Sequence, residues 1–269
     1  MSKAMKYPHG PLSWIARPKD FADDYNLGPY AEETVQRFVP GTKMATWDGK
    51  IFKYSRIITS SVASMGVFND CNVINIAVSG TQAVVAGDQT HILTLDADSG
   101  YAGAGVAEDE LAGAYITVGH AEGNEQTRCI MSNTASAVSL PTTLELDFPW
   151  NKTLTDTTAW TEVALNPYNY LNGQPGGGDG SWQGCMGVAV VDSTALQYCY
   201  IQTYGPIYMT GTGTTSNAGF QRDAYVDGDG SVRDGSEITI ESGYQRIGFV
   251  IDDSTHATAM PVVMLQISV

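Results

Sequence analysis

The sequence predicts an all-β protein, an antiparallel β-sandwich or barrel-like domain or domains preceded by an extended N-terminal arm. Three observations carry that expectation. Charged residues make up only 16% of the 269 residues, and Gly contributes 29 positions. That mix suits strands joined by tight turns better than helices, which draw on Leu, Glu, Lys and Ala. Short alternating apolar and polar runs also recur along most of the chain, separated by Gly-, Asp- and Asn-rich clusters. Finally, five of the 11 prolines (Pro8, Pro11, Pro18, Pro29, Pro40) crowd the first 40 residues.

Residues 1–40 form the predicted arm. Prolines at that density disfavour long helices and paired strands. Tyr7, Trp14, Phe21, Tyr25 and Tyr30 are too frequent for a free disordered tail. The arm is therefore expected to lie extended against another surface. One short helix fits at 29–38, with Pro29 early and acids in its first turn.

Residues 41–269 form the predicted β-rich domain. Asp48-Gly49 marks a turn before a strand at 50–58. Further strands are expected at 71–78, 91–95, 114–118, 127–132 and 142–147. The Gly-rich stretch at 172–181 is a surface loop or linker and the expected place for any subdivision. Strands then follow at 187–192, 197–204, 237–242, 245–252 and 262–269, the last of them structural. Gly205-Pro206 is read as the end of the 197–204 strand. No repeat of fixed period is visible.

Charge and cysteine usage narrow the function classes. A formal net charge of −15, with 14 Lys+Arg against 29 Asp+Glu, leaves little for a phosphate-binding patch, so no nucleic-acid partner is expected. Lys43, Lys50, Lys53 and Arg56 gather around Trp47, Phe52 and Tyr54, and read as a solvated strand face. The start of the sequence lacks the apolar core of a secretory signal, and no apolar run approaches 18 residues. Synthesis in a reducing cytoplasm and no membrane association are expected. Cys71, Cys129, Cys185 and Cys199 are too widely spaced for a CxxC pair. They read as free buried thiols, with disulfides left open.

Chemistry-bearing motifs are weak. Asp227, Asp229 and Ser231 match the first three positions of a calcium loop. Val232 and Ile238 then stand where Gly and Glu are needed, so a plain turn is expected. The 172–181 stretch lacks the Gly-Lys-Ser/Thr ending of a phosphate loop. His9, His91, His120 and His256 have no second ligand at metal spacing, and no nucleophile elbow is present. The expectation is no catalytic residue, no cofactor and no metal site.

On the 197–204 strand, Tyr198, Tyr200 and Tyr204 share one face, while Cys199, Ile201 and Thr203 share the other. The tyrosine face reads as half wet and half apolar, suited to a partner. With Tyr7, Trp14, Phe21 and Tyr25 of the arm, these residues are the candidate interface.

Three motifs carry a resemblance. They are D-G-K-I-F-K-Y-S-R at 48–56, L-N-P-Y-N at 165–169 and Y-I-Q-T-Y-G-P at 200–206. In that order they resemble the recurring motifs of a family of tailed-bacteriophage virion proteins, read as capsid decoration (cement) or head-associated structural proteins. The arm at 1–40 departs from the short beginnings of that family. The resemblance implies a non-enzymatic virion structural protein that binds and stabilises the major capsid protein lattice on the capsid exterior. Similarity to other decoration proteins implies a homotrimer. Two alternatives compete: a tail, neck or fibre component, and a secreted carbohydrate-binding β-sandwich. A fibre is expected to show a repeat or coiled coil, and a secreted protein a signal peptide.

Overall fold

The computed structural model describes residues 14–16, 29–69, 75–77, 83–94, 105–119, 125–137, 140–154, 160–173, 184–211, 222–234, 244–252 and 260–267. Among them every regular element is a strand. In chain order these are β1 (Trp14–Ala16), β2 (Glu32–Glu33), β3 (Lys43–Thr46), β4 (Ile51–Ile57), β5 (Gly66–Asn69) and β6 (Asn75–Ala77). Next come β7 (Thr90–Thr94), β8 (Tyr115–Gly119), β9 (Gln126–Asn133), β10 (Pro141–Leu146), β11 (Trp160–Ala164) and β12 (Leu171–Asn172). The last are β13 (Cys185–Ala189), β14 (Gln197–Tyr208), β15 (Asp223–Val226), β16 (Val232–Asp234), β17 (Gln245–Asp252) and β18 (Val262–Gln266). The predicted all-β class is thus what the chain adopts.

Two compact units divide the chain. Unit 1 draws on the described parts of Met1–Asn69, Leu171–Asp179 and Gly184–Val269, and unit 2 on those of Asp70–Tyr170 and Gly180–Gln183. The chain re-enters unit 1 at Leu171. The first crossing, at Asn69, has no compositional mark. The described residues of the arm belong to unit 1.

Unit 1 is a mixed 12-stranded sheet. Strand β14 hydrogen-bonds to β4 as well as to β13, so β4, β12, β5, β13 and β14 close into a ring. Closure of this kind removes free edges, the usual liability of a sheet. Strand β4 consequently buries both faces, with Phe52 and Tyr54 on one and Ile51, Ser55 and Ile57 on the other. A second cluster, including Phe68, Val188, Met209, Ile247, Val263 and Leu265, fills the space along β13, β17 and β18.

Unit 2 is a six-stranded sheet in the order β6-β11-β8-β9-β10-β7. Its β10 shows the alternation of a half-buried strand: Thr142, Leu144 and Leu146 point in, Pro141, Thr143 and Glu145 out. The core includes Leu93, Leu111, Ile116, Ile130 and Trp150.

Three expectations are corrected. No helix forms at 29–38: Pro29 and Tyr30 make a turn, and β2 pairs with β14 through Glu33↔Tyr198 and Glu32↔Cys199. Tertiary partners override the local helix signals, since Glu32 accepts a hydrogen bond from the Thr194 N–H at 2.9 Å. The arm does form paired strands, because β1 runs parallel to β3 and β2 joins β14. The prolines limit their length rather than forbid them: β1 fits between Pro11 and Pro18, β2 between Pro29 and Pro40. Nor does β14 end at Gly205-Pro206; it runs on to Tyr208, pairing with β18. Gly205 absorbs the irregularity at φ +96°. The Gln202 side-chain amide donates to the Tyr204 and Pro206 carbonyls, each at 3.1 Å, and binds the bend together.

The predicted strand at 71–78 is described only as β6, and that at 237–242 lies outside the described residues. The Asp-Gly sequence at 227–231 is the turn joining β15 to β16. Its acids are engaged within it: Asp227 pairs with Arg233 at 2.5 Å and Asp229 accepts the Ser231 N–H at 2.9 Å.

Candidate attachment surface

Strands β4 and β14 place a tyrosine cluster on one face of unit 1. They pair in register as Tyr54↔Tyr200 and Arg56↔Tyr198. Tyr54 stacks on Tyr198 with centroids 5.7 Å apart and planes 8° from parallel, and meets Tyr200 edge-on at 5.3 Å. Met44 and Phe52 complete the cluster. Phe38, from the segment after β2, closes over it, edge-on to Tyr54 at 5.4 Å.

A polar latch holds that segment down. The Tyr54 hydroxyl donates to Glu33 Oε1 at 3.4 Å and accepts the Arg37 backbone N–H at 3.1 Å. Glu33 pairs with the Arg37 guanidinium, and the Tyr198 hydroxyl donates to Gln36 Oε1 at 3.2 Å. Burial raises the Tyr54 and Tyr200 hydroxyls well above the ordinary tyrosine range. Burial also raises the Glu33 carboxyl, outweighing the opposing pull of a half-exposed Arg37.

The expected interface residues therefore separate. Tyr200 is only 3% exposed and belongs to the interior, which corrects its reading as a partner-facing residue. Tyr198 and Tyr204 are half-buried. Trp14 lies in β1 opposite Met44, while Tyr7, Phe21 and Tyr25 lie outside the described residues.

Exposed aromatics stand elsewhere in unit 1, one of them on the β3–β4 turn. Trp47 is 71% exposed there. The turn is closed by Thr46 N–H to the Lys50 carbonyl at 2.9 Å and Gly49 N–H to the Thr46 carbonyl at 3.0 Å. Gly49 takes φ +84°, the left-handed conformation such turns need, and the Thr46 hydroxyl bonds Asp48. The indole is thus presented on a wired turn, so little backbone entropy would be lost on contact. Three residues on, Lys50 lines an open groove of about 410 Å³, together with Tyr30, Ser64, Gln202, Pro206 and Tyr208. Tyr30 and Tyr208 are 62% and 63% exposed.

Such a surface is suited to recognition. Aromatic faces, one ammonium and a few hydroxyl and amide groups can stack, fill pockets and donate hydrogen bonds. Among the described residues no cluster of His, Cys, Asp or Glu is arranged to hold a metal ion. Sequence alone puts Trp47 on a solvated strand face and Tyr30 among the arm aromatics, and marks neither of them, nor Tyr208, as an interface residue. A usable signal was present for Trp47, since an aromatic inside a tight Thr-x-Asp-Gly turn has no core to enter.

No protein-family model, curated protein or solved structure matches this chain.

Proposed function

We propose that this chain is a non-enzymatic structural protein of a tailed-phage virion, a decoration protein that binds the major capsid protein lattice from outside as a homotrimer. The observation that carries the reading is the display of Trp47, Tyr30 and Tyr208 on a ring-closed β scaffold. Exposed aromatics on a rigid support are the usual energetic anchors of a protein interface.

Two further points support it. Two of the motifs behind the family resemblance fall in unit 1, which carries that surface: residues 48–56 are the turn and β4, and 200–206 are the middle of β14. The third, at 165–169, is a turn wired by Asn166, whose side-chain oxygen accepts the Tyr168 N–H at 3.0 Å. A low charged fraction also lowers the desolvation cost of covering a large polar β surface.

The copy number in purified virions, measured by quantitative mass spectrometry against the major capsid protein, tests the proposal. A ratio near one to one, or a simple fraction of it, is expected. A handful of copies per particle would assign the chain to the tail or neck instead. Absence from virions together with a positive glycan-array screen would assign it to sugar binding.

A further inference from the structure

Unit 2 contains a buried histidine in an unusual setting. His91 on β7 is 5% exposed and lies opposite Leu144 of β10. Its ring meets Trp150 edge-on, with centroids 5.8 Å apart. Trp150 is itself 2% exposed, and the Arg128 guanidinium sits 5.4 Å from its ring centroid. One indole is therefore shared by a fixed cation and a neutral imidazole. Nε2 of His91 is buried and bonds no protein group among the described residues.

Trp150 is the centre of a strap. Its backbone N–H donates to the Asp88 carbonyl at 2.9 Å, and its backbone carbonyl accepts the Gly87 N–H at 2.8 Å. Val84 and Leu154 exchange two backbone bonds, at 3.0 and 2.9 Å. Arg128 Nε and Nη2 hold the Pro149 carbonyl at 3.0 and 2.9 Å, and Gln126 Oε1 accepts the N–H groups of Asn151 and Lys152 at 2.8 and 3.0 Å. The 147–154 segment is thereby pinned to β9 and to the residues leading into β7.

We propose that His91 is an acid-operated release for this strap: neutral, it seals Trp150 into unit 2; protonated, it cannot remain buried beside an indole already engaged by Arg128, and the 147–154 segment lets go. The physical reason is the cost of an ionised group in an apolar site without a counter-charge. Burial already depresses its pKa from 6.5 to about 4.

The charged groups on the surrounding described elements do not offer relief. Glu145 on β10 points to the opposite, exposed face from His91's partner Leu144. Asp147 is occupied by the N–H groups of Cys129 and Phe148, and Asp88 and Lys152 are exposed. Arg128 repels.

The sign follows from linkage. The unfolded chain, with His91 near 6.5, binds a proton that the closed unit refuses. The strap therefore opens progressively as the pH falls from about 6.5, and the effect is complete near the depressed value.

Hydrogen exchange on the full chain tests this. Protection factors at Gly87, Trp150 and Leu154 are expected to fall roughly tenfold per pH unit between about 6.5 and 4, on the order of a hundredfold in all. His91→Phe, which keeps an aromatic edge against Trp150, is expected to abolish that fall. An identical fall in the variant overturns the proposal. NMR titration of the wild-type His91 imidazole needs no variant: a pKa well below 6 supports the switch, and a value at or above 6.5 overturns it.

Discussion

Tyr54 and Tyr198 lie ring on ring, 5.7 Å apart and within 8° of parallel, on neighbouring strands of a closed ring. The stack is covered by β2 and the segment that follows it, and both hydroxyls are spent there, Tyr54 on Glu33 and Tyr198 on Gln36. What reads in sequence as an outward tyrosine face is therefore the seat on which the start of the chain is fastened. The cluster therefore serves packing within unit 1. The candidate surface in unit 1 is instead the Trp47 turn together with the groove lined by Tyr30, Lys50 and Tyr208.

Tyr54→Phe keeps the stack and removes one hydroxyl. Glu33 Oε1 and the Arg37 N–H each lose a partner at a nearly buried position. The expected cost is about 1–3 kcal/mol, the range for leaving buried polar groups unsatisfied. Urea denaturation measures it. A double-mutant cycle with Glu33→Gln is expected to show coupling of at least about 0.5 kcal/mol; additive losses would mean that the latch bonds contribute independently.

Two glycines are expected to respond differently to alanine. At Gly248 of β17 a Cβ would sit 1.9 Å from the Met264 carbonyl oxygen, backbone that cannot yield without breaking the β17–β18 pairing. Gly248→Ala is expected to cost more than about 3 kcal/mol or to prevent folding, as overpacking against fixed atoms does. At Gly49 nothing lies within 4 Å of the new carbon, and only its φ of +84° resists. Gly49→Ala is expected to cost about 1–2 kcal/mol. Thermal denaturation of the two variants side by side checks the ranking.

The strands were the legible part of the sequence, because period-2 alternation is a local signal. Strand β17 falls on the expected residues 245–252, and β10 shows the alternation in its burial. The departures are all long-range. Alternation shows that Tyr198 and Tyr200 share a face but not that Phe38, 162 residues before Tyr200, covers it. The Gly205-Pro206 break is real locally, and only the Gln202 amide and the β18 pairing carry the strand through it. Glu32 and Glu33 have helix-start chemistry in sequence, yet β14 takes their backbone. At the candidate surface, the turn at Asp48-Gly49 was legible, whereas the groove was not, since Tyr30, Lys50 and Tyr208 come from three distant segments.

Thiol reactivity gives a third test. Cys185 and Cys199 are free and buried, and burial pushes both up to about 12. At pH 8 only about one molecule in ten thousand then carries either thiolate, and access is closed as well. Neither is expected to react with a thiol reagent over minutes in the native protein, and both are expected to react on denaturation. Cys129 is half-buried, with burial and Asp147 raising it, and is expected to fall between. Peptide mapping after alkylation assigns each site. Rapid native labelling of Cys185 would mean that the β13–β14 region opens readily.

The attachment surface is tested by a substitution that leaves the fold alone. Trp47 is 71% exposed on a turn held by its neighbours' backbone, so Trp47→Ala is expected to change stability by no more than about 0.5 kcal/mol. If the Trp47 turn anchors the protein to a capsid, the same change is expected to weaken attachment by about 2 kcal/mol or more, some thirtyfold in Kd. Phe148, on unit 2 and 68% exposed, supplies the control: Phe148→Ala removes a comparably exposed aromatic from the other unit and is expected to bind normally. Sedimentation with purified capsids lacking the protein reads both variants. Normal binding by Trp47→Ala with loss in Phe148→Ala would move the contact to unit 2, and normal binding by both would leave the groove without a role in attachment.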